Sequence, residues 1–89
     1  MLDKLKMLNQ ARQMQKKMQE LTTDIEYNGI SIKINGKQEI ITLEIAENLF
    51  DNQEKLQQLL KEAINKAISS SQKEMAMQMQ SEMGGLFGM

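Results

Sequence analysis

Five basic side chains near the start of the chain are its residues best suited to binding a charged partner. Residues 1–19 contain these five against Asp3 alone, so the segment has a net charge of +4. They are Lys4, Lys6, Arg12, Lys16 and Lys17. Lysine and arginine contact phosphates in a salt-dependent way. The whole chain of 89 residues has a net charge of −1, but charge concentrated on one element can still bind a polyanion. Taken alone, such a basic segment is more simply a solvated face of a helix; Lys73 is a further basic residue, on the second predicted helix.

The chain lacks the side chains on which most catalysis and metal binding depend. It contains no cysteine and no histidine, which excludes disulfides and argues against zinc, because zinc prefers nitrogen and sulfur ligands. General-base catalysis most often uses histidine, and covalent catalysis uses cysteine or an activated serine or lysine. We therefore predict that the protein is not an enzyme, with no catalytic residue, no metal, no cofactor and no small-molecule substrate.

Two long segments carry apolar residues at steps of three and four, which predicts helices. The first runs over residues 2–22, about 30 Å long, and contains the basic side chains. Its apolar stripe is Met7, Ala11, Met14, Met18 and Leu21. The second runs from about residue 51 to near 80, with Asn48 or Asp51 as the N-cap. Its apolar rows include Ile64, Ile68, Ser71, Met75 and Met79, and beside them Leu56, Leu60, Ala63 and Ala67. Residues 84–89 are predicted to form a flexible tail, which leaves residues 1–83 as a single domain.

Between the helices, two Asn-Gly pairs separate alternating apolar and polar residues. Asn28-Gly29 and Asn35-Gly36 each predict a tight type I′ hairpin turn, because both residue types tolerate positive φ. The strands are predicted at residues 24–27, 30–34 and 38–45. The fold class predicted is therefore α+β: a long helix, a three-stranded antiparallel meander and a second long helix.

The core available to such a chain is thin, and this predicts self-association. Only three residues are aromatic, and a domain of this size buries about 60–65% of its unfolded surface. Small domains often gain extra stability from disulfides, metals or oligomerisation. Since the chain has no cysteine and no histidine, oligomerisation is the one that remains. The sequence has no run of about 18 apolar residues, and its first ten residues lack the apolar region of a secretory signal. We expect a cytoplasmic protein with no membrane partner.

Several segments, taken in order, resemble the YbaB/EbfC family of nucleoid-associated proteins. Residues 10–19, with the sequence QARQMQKKMQ, are similar to the family's first helix. Residues 32–36, IKING, resemble its central strand and turn. Residues 43–56 are similar to its link into the last helix, through Leu43-Glu44-Ile45, Leu49, Asp51 and Glu54-Lys55-Leu56. Residues 63–67, AINKA, resemble a step within that helix. Together these segments cover nearly the whole chain.

The resemblance implies a small bacterial protein that forms a tweezer-like homodimer and binds duplex DNA with its protruding helices. It would contribute to nucleoid organisation or gene regulation. The six basic residues named above then become DNA-contact candidates. Little sequence specificity is expected, because no zinc finger, RNP motif or helix-turn-helix is evident. Core and dimer contacts are expected from the apolar rows of residues 56–68 and from the sheet residues Ile30, Ile32, Ile34, Ile41, Leu43 and Ile45.

Two other classes of function fit the same pattern. One is a prefoldin-like chaperone or adaptor that binds protein clients through apolar helix tips, here Leu5, Leu8 and the methionine-rich end of the second helix. The salt dependence distinguishes a chaperone from a DNA-binding protein, because DNA binding weakens as salt rises whereas apolar client binding persists or strengthens. The other is a structural subunit of a larger assembly, which the sequence does not distinguish.

Overall fold

A computed structural model of the protein describes residues 2–86, with side chains described for residues 3–81. The elements in chain order are α1 (Leu2–Glu20), β1 (Thr22–Tyr27), β2 (Ile30–Asn35), β3 (Ile40–Ile45), a short 3₁₀ helix (Glu47–Asp51) and α2 (Gln53–Leu86). The strands lie in the order β1-β2-β3, and both neighbouring pairs are antiparallel. This architecture confirms the predicted α+β fold of helix, meander and helix.

The core lies between α2 and one face of the sheet, where α2 packs mainly on β1 and β2. The fully buried apolar residues are Ile30, Ile32 and Ile34 of β2, with Ala63 and Ala67 of α2. The alanines lie four residues apart on one face of α2, and their small side chains let the helix approach the sheet closely. Half-buried neighbours complete the core: Ile25, Tyr27, Ile45, Leu49, Leu56, Leu59, Leu60, Ile64 and Ile68.

The two Asn-Gly pairs adopt different conformations. Asn28 and Gly29 have φ values of +48° and +92° and join Tyr27 directly to Ile30, which confirms the type I′ turn there. The same prediction for Asn35-Gly36 was wrong. Asn35 ends β2, residues 36–39 form a longer connection, and the only positive φ in it is +67° at Gln38. The Asn35 side chain closes this turn, because its Oδ1 accepts hydrogen bonds from the backbone N–H groups of Lys37 and Glu39 at 2.9 and 3.0 Å.

Strand β3 departs from the simple alternation that its sequence predicts. Lys33 lies opposite Thr42, whereas Ile34 lies opposite Ile40, so one extra residue, Ile41, bulges from β3. Because α2 covers mainly β1 and β2, the apolar side chains of β3 remain largely exposed: Ile40 by 42%, Ile41 by 51% and Leu43 by 43%. Of the β3 residues expected to supply core and dimer contacts, only Ile45 joins the core of the single chain, and Ile41 and Leu43 lie outside it.

Helix α2 begins and ends later than predicted. The 3₁₀ helix occupies both predicted cap positions, and Asn52 caps α2 instead: its Oδ1 accepts a hydrogen bond from the Lys55 N–H at 3.1 Å. Its φ of −135° is the extended backbone usual for an N-cap. The helix continues to Leu86, past the predicted end near residue 80. The predicted tail lies partly in this last turn and partly outside the described residues. Over the part of the chain described, neither helix is long and apolar enough to cross a membrane.

Candidate nucleic-acid interface

Helix α1 is an exposed arm attached to the rest of the molecule at one end. Every side chain from Asp3 to Lys17 is exposed, and only Met18 and Leu21 near the end of the helix are half-buried. At 1.5 Å per residue, about 24 Å of helix extends beyond these contacts. We call α1 the arm, and we call the sheet, the 3₁₀ helix and residues 53–71 of α2 the base.

All five of the predicted basic residues in the first segment lie on the arm and are exposed. At 100° per residue, Lys6 and Lys17 lie about 90° around the helix from the centre of the methionine stripe, and Arg12 and Lys16 lie on the face opposite the stripe. Lys16 and Lys17 also line a shallow depression of about 260 Å³ together with Gln13 and Glu20. The basic side chains therefore surround the arm over a length of about 20 Å.

The sixth candidate, Lys73, lies elsewhere. It is exposed on α2, two residues after the buried Ser71, so it projects about 200° away around the helix, on the side turned from the sheet. The structure thus groups five candidates on one element and leaves Lys73 on another.

A concave surface on the sheet is a poor place for phosphate. It is a groove of about 390 Å³ on the open face of the sheet, opposite α2. Its polar lining consists of Asp24, Glu26, Ser31, Lys33, Thr42 and Glu44. Three carboxylates against one ammonium group repel a polyanion. Charge therefore favours the arm over the sheet as a nucleic-acid interface.

The arm and α2 meet through methionines. Met14 and Met18 of the arm, with Leu21 directly after it, face Met75, Gln78 and Met79 of α2 around a small cavity of about 30 Å³. Further out the predicted apolar stripe is uncovered, with Met7 exposed by 69%. Only the C-terminal end of the stripe therefore packs within one chain.

A hydrogen-bonded junction at the end of the arm was not predicted. The Gly36 N–H donates to the Met18 and Leu21 carbonyl oxygens at 2.8 and 3.0 Å. The Ser71 Oγ donates to the Asn35 carbonyl at 2.9 Å and accepts from Gln38 Nε2 at 3.2 Å. One signal was available: Ser71 is the polar member of an otherwise apolar row, and buried polar groups are normally hydrogen-bonded.

A second polar cluster ties β1 to α2 within the base. The Tyr27 hydroxyl donates to Glu62 Oε2 at 2.7 Å, and Gln58 Nε2 donates to Glu62 Oε1 at 2.9 Å. These bonds, that from Gln58 above all, lower the pKa of Glu62, while the bond to Glu62 raises the pKa of Tyr27. The Lys66 Nζ lies 5.2 Å from the centre of the Tyr27 ring, within the range of a cation–π interaction.

Residues 1–86 of the 89-residue chain match the model of the YbaB/EbfC DNA-binding family. The chain belongs to this family. The match confirms the resemblance seen in its sequence motifs, and it does not favour the prefoldin-like alternative. In the part of the YbaB/EbfC chain that the structure describes, no three His, Cys, Asp or Glu residues are grouped so as to hold a metal ion.

Known proteins that are similar to this chain support its assignment to the YbaB/EbfC family. It is 37% identical over 75 residues to a nucleoid-associated protein of Malacoplasma penetrans, covering 73% of this chain and 80% of that protein. It is 31% identical over 91 residues to a nucleoid-associated protein of Clostridium novyi, covering 90% of this chain and 80% of that one. The crystal structure of an uncharacterized Helicobacter pylori protein superposes with a TM-score of 0.66 at 22% identity, over 84% of this chain and 89% of that chain. This last likeness concerns the fold alone.

Proposed function

We propose that the protein binds the phosphate backbone of duplex DNA as a homodimer, with the arm of each subunit as the main contact. The binding has little sequence specificity and serves nucleoid organisation or gene regulation in the bacterial cytoplasm. The observation that carries this proposal is the exposed basic arm on a member of a DNA-binding family.

The distribution of charge around the arm supports phosphate contact over base reading. Phosphate contacts position a protein on the duplex, whereas sequence is read by groups aimed at base edges. These basic side chains lie on the side of the arm away from the methionine stripe, with Arg12 and Lys16 about 110° around the helix from Lys6 and Lys17. This arrangement suits phosphates on either side of a groove.

The exposed apolar residues of the base support the homodimer. Among the side chains that the structure describes, only five apolar ones are fully buried, whereas Ile40, Ile41 and Leu43 of β3 and Phe50 of the 3₁₀ helix are exposed. Large apolar side chains left exposed near one another can mark a protein interface. β3 is also an edge strand, and unpaired strand edges readily associate. A two-fold contact through the base would leave both arms projecting toward DNA.

The test is to remove charge from the arm without breaking the helix. Glutamine has a helix propensity close to those of lysine and arginine, so we choose the triple variant Arg12→Gln, Lys16→Gln and Lys17→Gln. We expect weaker binding to unrelated duplexes by a similar factor. The slope of log affinity against log salt should fall by about 0.9 for each phosphate that the variant no longer neutralises. Fluorescence anisotropy at several salt concentrations measures both quantities, and circular dichroism checks the helix.

A matched control removes the same charge from positions outside the arm. The variant Lys37→Gln, Lys55→Gln and Lys61→Gln alters three exposed lysines away from the arm, and we expect its salt slope to equal that of the wild type. Equally weakened binding in the two variants would move the DNA contact off the arm. Failure of the wild type to bind any duplex at low salt would overturn the proposed function.

A further inference from the structure

The orientation of the arm depends on a small number of contacts at one end. Side chains 3–17 are exposed, so the base does not support the outer part of the helix. A rotation of 10° about the attached end would move the far end by about 4 Å over a length of about 24 Å. Phosphate contacts at hydrogen-bond distance do not tolerate such displacements. Whatever holds the end of the arm therefore decides where its charges lie.

Gly36 holds that end by close approach of two backbones. Its N–H donates to both the Met18 and the Leu21 carbonyl oxygens, which are among the acceptors that the end of a helix leaves without an intrahelical partner. A Cβ at this position would lie 2.5 Å from Met75 Sδ and 2.8 Å from the Met18 oxygen. The φ of Gly36 is not in the left-handed region, so proximity and not backbone conformation requires glycine here.

The turn that carries Gly36 is itself fixed to α2. Asn35 is 3% exposed and Ser71 is 1% exposed. The Ser71 hydroxyl donates to the Asn35 carbonyl, and the Asn35 Nδ2 donates to Glu39 Oε1 at 3.0 Å. Because Ser71 follows Ala63 and Ala67 along the buried face of α2, these bonds connect the turn to the packed core. These hydrogen bonds, beside the methionine contacts between the arm and α2, connect the end of the arm to the base.

We propose that Gly36 is a positioning residue for DNA binding, and that Asn35 and Ser71 act through it. Gly36 fixes the angle at which the basic arm leaves the base, so that the charges of the arm reach phosphates without prior ordering. This inference rests on the proposed function, in which the arm contacts DNA. The apparent affinity falls with the fraction of molecules in the competent conformation. If both arms of a dimer must be in place and each is so one third of the time, binding weakens about ninefold.

The test compares alanine at the two turn glycines. Gly36→Ala places a methyl group against the Met18 carbonyl, whereas Gly29→Ala meets only Leu49 and Ala46 within the base. Gly29 has a φ of +92°, so its substitution is strained and serves as a destabilised control. We expect Gly36→Ala to weaken DNA binding by about fivefold to tenfold with an unchanged salt slope, because all the charges remain. We expect Gly29→Ala to bind like the wild type at a temperature where both variants are folded.

A distance measurement isolates the arm from DNA. The chain has no cysteine, so spin labels can be placed through Asn9→Cys on the arm and Asn65→Cys on α2, both at exposed positions. Labelled protein is diluted into unlabelled protein, so that each dimer carries one labelled subunit. The distance distribution between the labels should be narrow in the wild type and in Gly29→Ala, and broad or shifted in Gly36→Ala.

Ser71→Ala is the milder variant, and it tests the positioning of the arm if Gly36→Ala does not fold. It removes the bond to the Asn35 carbonyl, and we expect smaller changes in the same direction in both measurements. Unchanged label distances, or equally weakened affinity in Gly29→Ala and Gly36→Ala, would overturn the positioning role. A broadened distribution with unchanged affinity would overturn it as well. If the wild type bound no DNA, the proposed function would fail, and the label distances alone would show whether Gly36 anchors the arm.

Discussion

The base and the arm of this protein are stabilised in different ways. In the base, Ile30, Ile32 and Ile34 are 0%, 2% and 0% exposed. In the arm, Leu5, Met7 and Leu8 are 64%, 69% and 53% exposed. Burial of apolar surface is the main favourable contribution to folding, so it acts on the base and hardly on the arm. The side chains of the arm are therefore available for binding, and its placement depends on the junction at Gly36.

The largest expected effect tests this contrast through stability. Ile32→Ala leaves a cavity in the packed base and should lower the free energy of unfolding by about 3 kcal/mol. Met7→Ala removes an exposed side chain from the arm and should change it by no more than about 0.5 kcal/mol. Urea denaturation followed by circular dichroism gives both values. A destabilisation by Met7→Ala as large as that by Ile32→Ala would show that the arm is packed and would remove the distinction.

An intermediate effect is expected on dimerisation. Phe50 and Met77 are similarly exposed, at 61% and 57%, but Phe50 belongs to the base and Met77 to the outer part of α2. If the dimer forms through the base, Phe50→Glu should raise the dimer dissociation constant by about thirtyfold, because buried aromatic anchors contribute about 2 kcal/mol or more. Met77→Glu should have little effect. Sedimentation equilibrium measures both constants. The reverse order would place the dimer contact on the outer helices, and a stable monomeric wild type would remove the dimer from the proposal.

The smallest expected effect concerns the bond between Tyr27 and Glu62 in the base. Hydrogen bonds from Gln58 and then Tyr27 lower the pKa of Glu62 in the folded state, so they stabilise the protein above the ordinary Glu pKa of 4.5 and lose their effect as the pH falls through the lowered value. Because the bond to Glu62 raises the pKa of Tyr27, the contribution of Tyr27 to stability is present below the ordinary Tyr pKa of 10.0. It is lost as the pH rises through the raised value. Tyr27→Phe should therefore lower the melting temperature slightly at neutral pH and not at pH 3. Thermal melts across this range test the prediction, and a difference that persists at pH 3 would contradict it.

Patterns within a few residues determined much of the molecule from the sequence alone. The three- and four-residue spacing of apolar side chains located both helices, and strand alternation identified Ile30, Ile32 and Ile34 as core. The excess of basic residues before Glu20 identified the arm as the candidate site. Asn28-Gly29 formed the predicted type I′ turn because its conformation depends only on the two residues and the strands that they join.

Tertiary contacts decided the rest. Asn35-Gly36 has the same dipeptide sequence as Asn28-Gly29, yet its glycine serves a close approach to Met18 and Met75. Those residues lie 18 positions before it and 39 after it, outside the reach of any local pattern. The exposure of Ile41 and Leu43 likewise depended on where α2 crosses the sheet. Local spacing fixes which side chains share a face, but only the packed chain determines which faces are covered and where an exposed helix is held.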